Sequence, residues 1–175
     1  WRNNAWEVVG LPINTAYAFA EFDEDGDGPA PPRLFVGGFR DLGSRDALER
    51  WDGASWTSIG ADIAPGFFVF SLAVIDDGAG EALYVGGEFP SAAGMTANSV
   101  ARWNGAAWSV LGDGLPRPDG QVHYARVTEL AWHDDGDGGA LYAGGFFTAN
   151  IDGVLVRNLA RWRDGAWTGP EFLPQ

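Results

Sequence analysis

The sequence predicts an all-β protein built from several copies of one four-stranded unit. A pair of tryptophans recurs along the chain with spacings of 50, 52 and 59 residues, at positions 1 and 6, 51 and 56, 103 and 108, and 162 and 167. A glycine doublet behind a short apolar run recurs between these pairs. No stretch of about 11 residues or more keeps the apolar spacing of a helix without a Gly or Pro interruption.

Composition indicates a packed, turn-rich, acidic protein. The chain has 175 residues, of which 46% are hydrophobic, with 26 Gly and 10 Pro. Its 24 acidic residues outweigh 11 basic ones, all arginine, for a net charge of -13. A field of that sign repels phosphate backbones and anionic lipids, and no apolar run approaches the roughly 20 residues of a membrane helix, so we predict no nucleic-acid partner and no membrane insertion. Without cysteine, disulfides and thiolate sites are excluded.

The first two strands of each unit follow from alternation and turn chemistry. The first strand is an alternating or apolar run ending near Phe22, Ile75 or His133, where an acidic turn with glycine reverses the chain. The second strand is the segment LFVGGF, LYVGGEF or LYAGGFF. It contains the glycine doublets Gly37 and Gly38, Gly86 and Gly87, and Gly144 and Gly145.

After a variable loop, the last two strands form a tight hairpin around each tryptophan pair. The third strand is ALERW, SVARW or NLARW, and the fourth begins with the second tryptophan. Asp-Gly or Asn-Gly stands between them, and these residues tolerate the positive φ that short hairpin turns require. Large aromatic rings next to bare glycine backbone favour tight packing of sheets. The residues predicted to pack in this way are Trp51, Trp56, Trp103, Trp108, Trp162 and Trp167.

Four short antiparallel strands in about 50 residues are typical of a β-propeller blade. The chain then divides into the outer strands of a partial blade at 1–10 and blades at 11–60, 61–112 and 113–175, about three and a half in all. Propellers typically have four to eight blades, so either further blades lie outside this segment or two copies associate. We favour a fragment of a larger propeller, because the chain begins inside a repeat.

The order of apolar strand, Gly-Gly, SVARW, turn and second tryptophan resembles the kelch repeat of β-propellers over nearly the whole chain. Phrases such as ALYVGG are also similar to propeller repeats of large secreted bacterial proteins. One departure is tryptophan at the first aromatic position, where kelch repeats usually carry tyrosine. The resemblance implies radially packed blades and an extracellular or cell-surface location.

The first acidic turn predicts a calcium site. In DEDGDG, Asp23, Asp25 and Asp27 alternate ahead of a glycine, as in the opening of calcium loops and of integrin-type propeller loops. The distal acidic ligand is missing, since Pro31 and Leu34 stand at the ninth and twelfth positions. The other two units have fewer aspartates at the equivalent positions, so the alternative is a solvated acidic turn. The predicted function requires no cofactor. Ca²⁺ is the one ion for which the sequence contains a candidate site.

The connection PRPDGQVHYARV is about six residues longer than its counterpart in the preceding unit. Lengthened loops carry function more often than scaffold segments do. Arg117, His123, Tyr124 and Arg126 are therefore candidates for a ligand-binding rim, and an ordinary loop insertion is the alternative.

No catalytic residue is predicted. The two histidines have no serine elbow or cysteine to act with, and the copper-containing kelch-type galactose oxidase needs a cysteine crosslinked to tyrosine. Each glycine doublet leads into another strand, which argues against a phosphate-binding loop. We expect a non-enzymatic binding or structural module that recognises a protein or glycan through its inter-strand loops. The alternative is part of a propeller enzyme, a lyase or glycoside hydrolase, with catalytic groups in blades outside this segment.

Overall fold

A computed structural model describes residues 10–39, 47–59, 63, 67–118, 123–134, 136 and 138–169. All regular secondary structure in these ranges is β-strand, which confirms the all-β prediction. No helix in them is long and apolar enough to cross a membrane. The first tryptophan pair and nearly all of the predicted partial blade at 1–10 lie outside the described residues.

The first sheet consists of β1 (Thr15–Phe22), β2 (Arg33–Phe39), β3 (Leu48–Trp51) and β4 (Trp56–Ser58), antiparallel and in chain order. The turn between β3 and β4 begins at Asp52, whose Oδ1 accepts hydrogen bonds from the N–H groups of Ala54 and Ser55, both at 2.8 Å. The hydrogen bonds from Ser55 and Ala54 lower the pKa of Asp52 to about 2. An ionised aspartate therefore starts this turn.

The second sheet begins with β5 (Phe68–Asp76) and β6 (Glu81–Glu88). A small hairpin of β7 (Ser91–Ala92) and β8 (Met95–Thr96) follows where the sequence predicted only a variable loop. The sheet is completed by β9 (Val100–Trp103) and β10 (Trp108–Val110), and its order is β10-β9-β6-β5. This is the strand order of the first sheet.

The third sheet consists of β11 (Arg126–Asp134), β12 (Gly139–Ile151), β13 (Val154–Arg163) and β14 (Ala166–Thr168). Here the predicted loop between the second and third strands is wrong. The two strands extend past the sheet as a long hairpin that closes at Asp152 and Gly153, both with positive φ. Asp-Gly is a favoured pair for such a turn, which explains why the chain needs no further loop residues.

The four strands correspond position by position in the three sheets, apart from the hairpins that follow the second strand. Each first strand has a register shift at the same place, between Ala16 and Ala18, Val69 and Ser71, or Val127 and Glu129, and each pairs there with a glycine doublet. The tryptophans of each pair lie directly opposite one another, with ring centroids 5.0, 5.4 and 5.5 Å apart. The prediction of several four-stranded antiparallel sheets is thereby confirmed.

The hydrophobic core lies between consecutive sheets. In the first two sheets, the first glycine of the doublet faces the first strand of the following sheet: Gly37 contacts Val69 and Leu72, and a Cβ on Gly86 would lie 2.8 Å from Val127 Cγ1 and 3.1 Å from Leu130 Cγ. Glycine is needed at both places because a side chain would overlap the next sheet. The junction between the first two sheets includes Phe22, Phe35, Leu48, Val69, Leu83 and Val85, and the junction between the last two includes Ile75, Tyr84, Val100, Val127, Leu130 and Leu141.

Candidate functional site

The antiparallel topology gives each sheet two different ends. The end that carries the turn between the first two strands also carries the turn between the tryptophans, and we call it the acidic end. The opposite end, where the first strands begin and the second strands pass the glycine doublets, we call the loop end. The predicted calcium residues lie at the acidic end, and the predicted ligand rim lies at the loop end.

The three aspartates proposed for calcium lie on the turn between β1 and β2. Asp23 Oδ1 accepts a hydrogen bond from the Asp25 N–H at 3.3 Å, and Asp25 Oδ2 accepts one from the Ala30 N–H at 3.2 Å. A hydrogen bond between the two side chains raises the pKa of Asp23 above its ordinary value. Asp27 is exposed.

Within the described ranges, no group of three or more His, Asp or Glu side chains is placed to hold a metal ion. Calcium binding stays a prediction that a titration with chelator reversal would test. The corresponding residues of the third turn, Asp135 and Asp137, lie outside the described residues.

Glu24 contacts residues of two sheets, and the sequence did not predict this role. Its Oε2 accepts a hydrogen bond from Arg50 Nη1 at 2.7 Å and lies 3.7 Å from Arg33 Nη1. Its Oε1 accepts a hydrogen bond from Trp103 Nε1, in the second sheet, at 3.1 Å. The carboxylate is only 12% exposed, so these partners replace water almost completely. The acidic end therefore contains a structural tie between sheets one and two.

The second sheet repeats the pairing of an acid with an arginine, through Asp77 and Arg102 of the same sheet. The Tyr84 hydroxyl donates to Asp77 Oδ2 at 2.5 Å, and Arg102 Nε lies 3.5 Å from the same oxygen. Burial works to raise the pKa of Asp77, but the hydrogen bonds from Tyr84 and Ala79 and the charge of Arg102 outweigh it and lower the pKa. Burial and the bond to Asp77 raise the pKa of Tyr84 far above its ordinary value. In the sequence, these two acid–arginine pairs are indicated by the arginine that precedes Trp51 or Trp103.

At the loop end, the structure brings the predicted rim residues together. His123, Tyr124 and Arg126 line an open cleft of about 200 Å³. The Arg117 guanidinium lies 4.6 Å from the centre of the Tyr124 ring, as in a cation–π contact. The four residues therefore form one continuous surface of aromatic rings and positive charge.

Two further residues of this cleft were missed by the sequence analysis. Glu88 accepts hydrogen bonds from Arg126 Nε at 3.1 Å and Nη2 at 3.0 Å, and Phe146 lies beside them. Both stand immediately after a glycine doublet, in segments that the sequence predicted as strand. Their shared position immediately after a glycine doublet could have identified them from the sequence. They give the cleft an acid and an exposed aromatic ring.

A second cleft of about 210 Å³ lies where the last two sheets meet. Asp113, Asn150 and Trp162 line it, together with Trp167. The indole N–H of Trp167 donates to the Leu111 carbonyl oxygen at 2.8 Å, so that polar group is occupied within the junction. This cleft belongs mainly to the packing of the sheets.

The chain matches no protein-family model, no curated protein and no solved structure. The resemblance to kelch repeats consequently rests on the residues of the sequence.

Proposed function

We propose that the chain is a non-enzymatic recognition module, a kelch-like β-propeller segment of a secreted or surface protein, that binds a glycan or protein ligand at the loop end. The observation that carries the proposal is the cleft of His123, Tyr124, Arg126, Glu88 and Phe146. It combines aromatic rings with fixed hydrogen-bonding groups in an open groove.

The chemistry of the cleft suits a polar ligand with some apolar faces. Aromatic rings offer large contact area at little cost in conformational entropy, and tyrosine and arginine are frequent in the residues that dominate binding energy. The paired carboxylate and guanidinium of Glu88 and Arg126 supply an acceptor and donors to hydroxyl or amide groups. Of the two ligand classes, glycans fit the openness and polarity of the cleft best.

Binding to an array of immobilised glycans tests the proposal. We expect at least one glycan class to bind, and Tyr124→Ala to weaken that binding about tenfold or more, the loss expected for a central aromatic contact. Tyr17→Ala is the matched control, because Tyr17 is a partly exposed tyrosine on β1 that contributes nothing to the cleft. Absence of binding to every glycan, or equal binding by the two variants, would contradict a glycan site at this cleft.

A further inference from the structure

We propose that the third sheet binds the first sheet of a second copy of this chain, with Phe19 of the second copy lying over Gly144. This contact would repeat, between two molecules, the junction that the chain makes twice within itself. Phe146 borders both this surface and the ligand cleft, but the proposal does not depend on ligand binding.

The glycine doublets provide the first evidence. Leu72 lies over Gly37 and Leu130 lies over Gly86. A Cβ on Gly37 would overlap Val69, beside Leu72, and a Cβ on Gly86 would lie 2.8 Å from Val127 Cγ1 and 3.1 Å from Leu130 Cγ, so neither glycine has room for one. At the equivalent Gly144, the nearest atoms to a hypothetical Cβ are 4.0 Å away, and both belong to residues of the third sheet itself. Among the described residues, nothing from another sheet occupies this slot.

The residues opposite the glycines show the same difference. Leu48 is paired with Gly37 and Val100 with Gly86, and both side chains are 0% exposed because the following sheet covers them. Leu159 is paired with Gly144 and is 38% exposed. A side chain with the chemistry of a core residue is therefore left facing solvent.

A third set of equivalent positions lies at the rim of the junction, immediately after each glycine doublet. Phe39 stacks on Phe68 of the next sheet at 4.6 Å, and Glu88 pairs with Arg126 of the next sheet at 3.0 Å. Phe146 stands at the same position in the third sheet and is 74% exposed. All three kinds of position that join a sheet to its successor are thus uncovered on the third sheet.

The first sheet exposes the complementary half of this junction. Phe19 occupies the position of Leu72 and Leu130 and is 59% exposed. Leu34 is 38% exposed, whereas its equivalents Leu83 and Leu141 are fully buried. Val36, farther along β2, is already buried, so the free surface is confined to β1 and the start of β2.

Because the chain carries both halves of a contact that it already makes twice, a second copy is the occupant that the structure favours. The contact is head-to-tail, and two such contacts related by a two-fold axis close a ring. Two copies bring six described sheets together, a number within the usual four to eight blades of a propeller. The ring would bury Phe19 and Leu159 of both copies.

Sedimentation velocity of the 175-residue chain over a wide dilution series tests the proposal. We expect a concentration-dependent species of twice the 18.7 kDa of one chain. Phe19→Arg and Leu159→Glu are each expected to abolish it while the far-UV circular dichroism stays unchanged, since both side chains are exposed in one copy. Thr57→Glu, an exposed position on β4 away from both surfaces, is the control and should leave the dimer intact.

Mixing the two charged variants provides the sharper test. A dimer of one Phe19→Arg chain and one Leu159→Glu chain has one unaltered junction and one junction in which opposite charges meet, so the mixture should recover the dimer that neither variant forms. A wild-type chain that remains monomeric at all concentrations would overturn the proposal and favour another occupant, such as a further sheet. A dimer that survives both single substitutions would overturn it as well.

Discussion

The indole N–H of Trp103 donates to Glu24 Oε1 at 3.1 Å, so the tryptophan pair of the second sheet is bonded to the acidic turn of the first. Gly105, in the turn between the two tryptophans, lies against the same residue, where an added Cβ would overlap the Glu24 carbonyl oxygen. The recurrent Trp-turn-Trp motif is therefore a joint between sheets at this place, in addition to being a hairpin within one sheet.

Glu24→Ala is expected to lower the free energy of unfolding by about 1–3 kcal/mol, because it leaves the Arg50 guanidinium and the Trp103 N–H without their acceptor. Urea denaturation followed by tryptophan fluorescence measures the change. Asp27→Ala, in the same turn but exposed, should change stability by less than about 0.5 kcal/mol. Equal effects of the two substitutions would show that Glu24 does not tie the sheets together.

Tyr84→Phe should destabilise the protein in a pH-dependent way. Phe35 occupies the equivalent position in the first sheet, so the ring is expected to fit. The substitution removes the bond that the hydroxyl donates to Asp77 and the bond that it accepts from Arg102 Nε, each worth about 1 kcal/mol. Because the folded pKa of Asp77 is lowered, its stabilising contribution is complete above its ordinary value of 3.8 and is lost as the pH falls through the lowered value.

The difference in unfolding free energy between wild type and Tyr84→Phe should therefore be constant near neutral pH and shrink below a pH of about 3.8. Denaturant titrations at a series of pH values measure it. A difference that stays constant to the lowest pH at which both proteins fold would argue against the Asp77 bond as its source.

Two buried tryptophans offer a matched comparison. Trp167 donates its indole N–H to the Leu111 carbonyl at 2.8 Å, whereas the indole N–H of Trp108 is buried with no hydrogen-bond partner among the described residues. Trp167→Phe removes ring volume and a hydrogen bond, and Trp108→Phe removes volume alone. We expect Trp167→Phe to cost about 1 kcal/mol more in thermal or urea unfolding. A larger cost at Trp108 would contradict this assignment of the two N–H groups.

The strands and their order within each sheet could be predicted from the sequence because their signals are local. Alternation, glycine doublets and Asp-Gly or Asn-Gly turns act within a few residues, as at Asn104 and Gly105 between β9 and β10. The long third hairpin could not be predicted, because the register of β12 and β13 beyond Gly144 is decided by pairing, and no local pattern distinguishes the Asp152-Gly153 turn from a variable loop.

The site residues depend on contacts between sheets, which no local pattern records. Glu24 is the second acid in a turn of four acidic residues, and nothing in the sequence separates it from its neighbours. Its partner Trp103 is 79 residues away in the chain. The contact of Glu88 with Arg126 likewise depends on the following sheet, and the exposure of Phe146 depends on the absence of such a sheet among the described residues. By contrast, His123, Tyr124 and Arg126 cluster because they are close in sequence.

The free energies of unfolding of Gly86→Ala and Gly144→Ala, measured at protein concentrations low enough to keep single chains apart, test the central claim most directly. If each sheet packs its first strand over the glycine of the sheet before it, Gly86→Ala should lose about 1–3 kcal/mol through overlap with Val127 and Leu130. Gly144→Ala, with no atom nearer than 4.0 Å to the added methyl group, should lose less than about 0.5 kcal/mol. Equal losses at the two glycines, or a larger loss at Gly144, would contradict this arrangement of the sheets.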